Sequence, residues 1–158
     1  MRGLSFYVND ELYMVDVTLV QKVARNMATT PIPAAPGAVV GIANIKGKIV
    51  TVLSLAVLLG RAQSSLVRAT KLVSAVVLKP FAENDDQMGL LIDKPGDLIT
   101  VDEKNILPPP AVMGAEAESC ISGITEAEGK LYRIIDTNAI MNRFKDKKIT
   151  NEQEGNSK

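Results

Sequence analysis

Side chains able to do acid–base, nucleophilic or metal chemistry are few in this sequence. Three carboxylates crowd together at Glu83, Asp85 and Asp86, but they lie in a polar stretch between two apolar segments, as in a hairpin turn. Asp93 and Asp136 each follow an apolar segment, where capping the next element is the simpler role. We therefore interpret these acidic residues as turn and capping residues rather than as a catalytic group.

Histidine is absent from the sequence, and cysteine occurs once, as Cys120. The lack of His excludes His general bases, His-containing triads and His-ligated metals, and a single Cys excludes internal disulfides and Cys-rich zinc sites. Cys120 has no His or basic neighbour that would favour a reactive thiolate, so a packing role is indicated. The sequence thus predicts no catalytic residue, no metal and no cofactor, and points to a binding module.

Charge and composition agree with that interpretation. The 158 residues carry 18 basic and 18 acidic side chains, and a formal net charge of zero disfavours nucleic-acid binding. A hydrophobic content of 46% is enough for one domain or for two small lobes that share a core. The longest strongly apolar stretch, residues 49–59, is too short to cross a bilayer, and the first residues do not resemble a signal peptide. We expect a cytoplasmic protein without direct membrane insertion.

Hydrophobic periodicity predicts a mainly β structure with nine or ten short strands, as in small barrels or a sandwich. Hairpin turns are expected at three pairs of residues: Asn9 and Asp10, Lys46 and Gly47, and Glu128 and Gly129. Short helices are expected at residues 16–24, 55–59 and 137–144, with Asp16, Ser54 and Asp136 as their N-caps. Connectors are expected at residues 61–70 and 105–118, and a further turn at residues 83–86.

Residues 41–55, GIANIKGKIVTVLSL, resemble the signature of the CheW family of chemotaxis coupling proteins, which is Gly-x-x-Asn-Leu-Arg-Gly followed by a strand ending in Asp-Leu. Weaker matches follow in the family's order and extend the similarity over residues 4–144. The resemblance implies a mainly β fold of two interlocked five-stranded, SH3-like barrel lobes with a few short helices. It also implies a single domain over residues 1–145 and a polar, disordered tail over residues 146–158.

The same resemblance implies a non-enzymatic adaptor in chemotaxis signal transduction. Its partners would be the regulatory domain of the histidine kinase CheA and the cytoplasmic tip of methyl-accepting chemoreceptors, within membrane receptor arrays. The residues that match the receptor-binding groove between the lobes are Gly41, Asn44, Lys46, Leu98 and Ile99. The residues that match the kinase-binding edge are Leu4, Val17 and Val20.

Three residues depart from the family pattern. Lys46 stands where Arg is usual and lacks its planar fork, Ser54 replaces a usual Asp but can still cap a helix, and Lys22 replaces a common Glu. These departures leave open an adaptor of the same fold in a non-flagellar array that controls pili or gene expression. A hypothesis from another class is a small carboxylate-dependent enzyme that uses Asp93 or Asp136.

Overall fold

The computed structural model describes residues 1–35, 37–61, 72–80 and 87–142. Ten strands make up most of this part of the chain: β1 Arg2–Val8, β2 Glu11–Asp16, β3 Val20–Ala28, β4 Val39–Ile45, β5 Lys48–Ser54, β6 Leu72–Leu78, β7 Gln87–Ile92, β8 Lys94–Thr100, β9 Ile121–Ala127 and β10 Lys130–Ile135. The α-helices are short: α1 Leu55–Leu58, α2 Ala115–Cys120, and α3, of which residues 137–142 are described. Single 3-10 turns occur at Val17–Leu19, Glu103–Asn105 and Ala111–Met113.

The strands form two five-stranded sheets, which we call the first and second lobes. The first lobe has the order β8-β1-β2-β10-β9, and the second has the order β3-β6-β7-β5-β4. The chain therefore builds two strands of the first lobe, completes the whole second lobe, and then returns for the last three strands. Each lobe combines antiparallel pairs with one parallel pair, β10 with β2 and β5 with β7.

An isolated bridge between the outer strands closes each sheet toward a barrel. In the second lobe, Thr30 follows β3 and exchanges two backbone hydrogen bonds with Ile42 of β4, at 2.8 and 2.9 Å. In the first lobe, Leu107 follows β8 and exchanges two bonds of 2.8 Å with Ile124 of β9. Closure satisfies backbone groups that would otherwise be left open at the sheet edges. The predicted pair of five-stranded, SH3-like barrel lobes is therefore confirmed.

Successive residues of the strands face two different apolar regions. On β2, Tyr13 points into a core shared by both lobes, and Met14 points into the first barrel. On β5, Leu53 points into the shared core, and Val52 points into the second barrel. This alternation follows from the period of two along a strand. Helix α1 adds Leu55 to the shared core, so the two lobes pack against each other through buried aliphatic side chains.

The predicted hairpins are present where turn residues and alternation coincide. The turn residues Asn9, Asp10, Lys46 and Glu128 have positive φ, as do Gly47 and Gly129. Strand β8 begins at Lys94 and contains Pro95 and Gly96, two residue types that are uncommon inside strands. As an edge strand, β8 tolerates a proline that a central strand would not. The expected turn at residues 83–86 and most of the expected connector at residues 61–70 lie outside the described residues.

The predicted helix at residues 16–24 is wrong. Only Val17–Leu19 forms a 3-10 turn, on which Asp16 accepts a hydrogen bond from the Thr18 N–H at 3.0 Å. Strand β3 starts at Val20 and pairs with β6, with register shifts between Val20 and Lys22 and between Ala24 and Met27. Such shifts insert an extra residue on one strand and interrupt the period of two. The resulting apolar spacings of three and four imitate a helix.

The other two predicted helices are confirmed over their described residues, together with their caps. Ser54 accepts a hydrogen bond from the Val57 N–H at 3.2 Å, and Asp136 accepts one from the Ala139 N–H at 3.0 Å. Helix α2, however, begins at Ala115 inside the segment expected to be a loop. Its N-terminus follows Gly114 and has no side-chain cap, so the sequence lacked the usual start signal. Cys120 is the last residue of this helix.

Candidate protein-binding surfaces

The turn between β4 and β5 carries Lys46 and explains two residues of the sequence signature. Lys46 and Gly47 both have positive φ, 51° and 84°, as expected of a two-residue hairpin turn. The Gly47 N–H donates a hydrogen bond of 2.9 Å to Oδ1 of Asn44. Asn44 therefore holds the turn in shape, which leaves the exposed Lys46 side chain at its tip. Of these residues, Lys46 is the one placed to contact a partner through its side chain.

Gly41 is buried, and its lack of a side chain serves the closure of the second barrel. A Cβ atom at this position would lie 2.5 Å from the backbone oxygen of Thr30 and 2.9 Å from its carbonyl carbon. Thr30 is the residue that pairs with Ile42 to close the barrel, so the strands can approach this closely only beside a glycine. Gly41 thus supports the predicted receptor-binding hairpin from within.

Leu98 and Ile99, the other two predicted receptor-binding residues, lie on β8 in the first lobe and face opposite ways. Ile99 is buried inside the first barrel, where it packs with Met14. Leu98 is 51% exposed and lies directly opposite Leu4 in the antiparallel register of β1 and β8. Directly opposed residues share one face of a sheet. The structure therefore separates Leu98 from Ile99 and brings it beside Leu4, which the family resemblance assigned to the kinase-binding edge.

The predicted kinase-binding residues Leu4, Val17 and Val20 are all half-buried. Leu4 and Val20 both pack against the shared core from its margin. The expectation that Val17 and Val20 share one face of a helix is wrong, because Val17 belongs to the 3-10 turn and Val20 begins β3. What Leu4, Val20 and Leu98 have in common is an aliphatic side chain on or beside the margin of the shared core.

A cavity of about 250 Å³ opens at one end of the second barrel, and we call it the barrel mouth. Its lining combines basic, amide and aliphatic side chains from five strands: Gln21, Lys22, Ile45, Lys46, Lys48, Val50, Val77 and Gln87. Lys22 and Lys46, two of the positions that depart from the family pattern, therefore line the same cavity. Sequence reasoning treated them separately, because they lie 24 positions apart, Lys22 on β3 and Lys46 in the β4–β5 turn.

An ion-pair cluster that the sequence did not reveal joins the two lobes. Glu11 on β2 pairs with Arg61, which follows α1, and its Oε2 lies 3.7 Å from Nε of Arg133 on β10. The Tyr13 hydroxyl donates to the same Oε2 at 2.9 Å. The only local signal is that Glu11 and Tyr13 are two residues apart and so share a strand face. Their arginine partners come from distant parts of the chain.

Burial and neighbouring charges shift the pKa values of the residues in this cluster. Partial burial opposes ionisation of Glu11, but the hydrogen bonds from Arg61 and Tyr13 and the arginine charges outweigh it, so the pKa of Glu11 is lowered. Burial, together with the hydrogen bond to Glu11, raises the pKa of Tyr13 to about 12. Bonding to Glu11 also raises the pKa of Arg61. The cluster is therefore charged on Glu11 and neutral on Tyr13 at neutral pH.

Asp93, Asp136 and Cys120, three of the residues considered for catalysis, have structural roles, whereas Glu83, Asp85 and Asp86 lie outside the described residues. Asp136 caps α3, and Asp93 accepts a hydrogen bond of 2.7 Å from the Asn9 N–H at the β1–β2 turn. Cys120 is buried in the shared core, as expected of a packing residue. Within the described ranges, no group of three or more His, Cys, Asp or Glu residues could hold a metal ion. In that same part of the chain, no helix is long and apolar enough to span a membrane.

Two closed β lobes around one core, with aliphatic side chains and a lysine-bearing turn at the surface, define a scaffold of the protein-binding class. The chain belongs to the CheW-like domain family, whose model matches residues 2–145. It is 26% identical over 140 residues to a chemotaxis protein CheW of Bacillus subtilis, covering 89% of this chain and 86% of that protein. It is 25% identical over 138 residues to a chemotaxis protein CheW of Rhizobium meliloti, covering 87% and 84%.

Comparison with solved structures agrees with this family. The crystal structure of the scaffolding protein TtCheW from Thermoanaerobacter tengcongensis superposes with a TM-score of 0.71 and 26% sequence identity. The superposition covers 85% of this chain and 83% of that one. The resemblance stated from residues 41–55 is therefore confirmed, and both lobes fall within the similar region.

Proposed function

We propose that this protein is a non-enzymatic adaptor that couples methyl-accepting chemoreceptors to the histidine kinase CheA in the cytoplasm, at membrane receptor arrays. The observation that carries the proposal is the family match over residues 2–145, which includes both lobes. The structural roles of Asp93, Asp136 and Cys120 support an adaptor over a small enzyme. An adaptor needs only two binding surfaces whose occupancies influence each other.

The proposed receptor-binding surface centres on Lys46 at the tip of the β4–β5 hairpin, with Gly41 and Asn44 shaping that hairpin. The proposed kinase-binding surface consists of Leu4 and Val20 at the margin of the shared core, together with Val17 in the 3-10 turn before β3. Half-exposed aliphatic side chains supply the desolvation that a protein interface requires. Leu98 lies at the boundary of the two surfaces, because it borders Leu4, and Ile99 supports β8 from inside the barrel.

The proposal is tested by reconstitution. The purified chain is mixed with the cytoplasmic fragment of a chemoreceptor and with CheA from the same organism, and complex formation and kinase autophosphorylation are measured. We expect a ternary complex in which kinase activity depends on this chain. Binding of neither partner would show that the chain is not a chemotaxis adaptor.

A further inference from the structure

Strand β8 is the outermost strand of the first lobe, and part of its outer edge is free within the described residues. Met1 and Val101 exchange two backbone hydrogen bonds, of 2.8 and 3.0 Å. Hydrogen-bonded and non-hydrogen-bonded pairs alternate along an antiparallel pair of strands. In the register of β1 and β8, Ile99 therefore bonds to β1, whereas the backbone groups of Leu98 and Thr100 point away from it.

Asp97, the residue before Leu98, is bonded on the inner side of β8. Its N–H donates to the Ser5 hydroxyl oxygen at 2.8 Å, and the same hydroxyl donates to the Asp97 carbonyl oxygen at 2.9 Å. This exchange replaces the regular ladder where the register shifts between Leu4 and Phe6. The free edge of β8 therefore lies on the C-terminal side of this bulge.

We propose that this edge pairs with β8 of a second copy of this chain. The two strands would run antiparallel, with Leu98 of each copy opposite Thr100 of the other. Two-fold symmetry would form this contact twice and satisfy about four outward backbone groups of each strand. Leu98, whose side chain is 51% exposed, would be covered by the second copy. An exposed edge strand is a ready template for such pairing.

The charges along β8 favour a second copy as the occupant. Lys94 begins β8 and Asp102 follows its end, and both side chains are exposed. In the antiparallel arrangement, Lys94 of each copy points toward Asp102 of the other. Because the bulge shortens β8, Lys94 would lie about one residue from the position opposite Asp102, within reach of a lysine side chain. The formal net charge of zero adds no long-range repulsion between copies.

This pairing would also limit the binding of other proteins to the same face. Leu98 lies opposite Leu4 in the register of β1 and β8, so a second copy on β8 would cover Leu98 and border Leu4. A dimer would therefore compete with any partner that uses these two residues. That consequence rests on the proposed function, whereas the pairing of two copies does not.

The first experiment measures the mass of the purified full chain by sedimentation as its concentration rises. We expect a weak, reversible dimer, because an edge-to-edge contact buries little surface. Hydrogen exchange then identifies the contact. The amides of Leu98 and Thr100 should become protected with rising concentration, whereas those of Asp97 and Ile99 should be protected from the start. A monomer at every concentration, or a dimer that leaves Leu98 and Thr100 unprotected, would overturn the inference.

The second experiment exchanges the two charges. Lys94→Glu alone and Asp102→Lys alone each bring like charges together, and each should weaken dimerisation about tenfold. An equimolar mixture of these two variants should recover the original affinity, because each contact then joins opposite charges. The chain that carries both substitutions should recover it as well. Recovery also shows that neither substitution prevents folding.

A matched control reverses a charge in the other lobe. Lys48 is an exposed lysine that begins β5, as Lys94 begins β8. Lys48→Glu should leave the dissociation constant of the dimer within about twofold of the original. If Lys48→Glu weakened the dimer as much as Lys94→Glu, or if the mixture of the two β8 variants stayed monomeric, the assignment of the contact to β8 would be wrong.

Discussion

At the residue scale, Glu11 is the side chain that joins β2 of the first lobe to Arg61, which follows α1, through an ion pair. One carboxylate oxygen of Glu11 forms ion pairs with Arg61 and Arg133 and accepts a hydrogen bond from the Tyr13 hydroxyl. The Glu11 side chain is only partly exposed. Glu11→Gln keeps the size of the side chain but removes its charge. We expect it to lower the free energy of unfolding by about 1 kcal/mol at neutral pH.

The lowered pKa of Glu11 determines how the stability difference between the original protein and Glu11→Gln changes with pH. Because the folded-state pKa of Glu11 lies below its ordinary value of 4.5, its stabilisation is present above that pH and is lost as pH falls through the lowered pKa. The difference between the original protein and Glu11→Gln should therefore shrink in acid. Urea unfolding at several pH values measures it, with the exposed Glu126→Gln on β9 as the control. A difference that stays constant down to low pH would contradict the assigned role of Glu11.

At the element scale, the closure of the second barrel depends on the close approach of β4 to the end of β3. Gly41→Ala would place a methyl group 2.5 Å from the Thr30 oxygen, and the obstructing atoms belong to the backbone. We expect a loss of about 2 kcal/mol in stability, because the strands must separate to relieve the clash. Gly37→Ala is a suitable control, since nothing lies within 4 Å of its added methyl. If Gly41→Ala and Gly37→Ala both had the melting temperature of the original protein, the bridge between Thr30 and Ile42 would not be needed for stability.

Elements that sequence reasoning predicted correctly are those with local signals. The β4–β5 and β9–β10 hairpins combine alternating side chains with turn residues that accept positive φ. Most of β3 was predicted to be helical. The strand forms by pairing with β6, and the register shifts in that pairing cannot be read from the sequence of β3 alone. Helix α2 was missed for a related reason, since it lacks a side-chain cap and follows a proline-rich segment.

At the scale of the whole molecule, strand pairing places Leu98, a predicted receptor-binding residue, on the same sheet face as Leu4, a predicted kinase-binding residue. Leu98 lies opposite Leu4, so a partner that covers Leu4 must also cover part of Leu98. We expect Leu98→Lys to weaken CheA binding about tenfold without changing the melting temperature, because an ammonium would be desolvated in the interface. Leu131→Lys is the matched control, since Leu131 is 45% exposed on β10. If Leu98→Lys weakened receptor binding and left CheA binding unchanged, Leu98 would belong to the receptor-binding surface. The boundary between the two surfaces would then lie between β1 and β8.

The sequence by itself determined the class of fold, most strands and the family, because period-two alternation, turn residues and the pattern of residues 41–55 are local properties of the chain. It also excluded histidine chemistry, since composition requires no structure. Only the tertiary structure decided which residues share a site. Lys22 joins Lys46, Leu98 joins Leu4, and Arg61 reaches Glu11, because strands far apart in sequence pair in a register that no local pattern specifies.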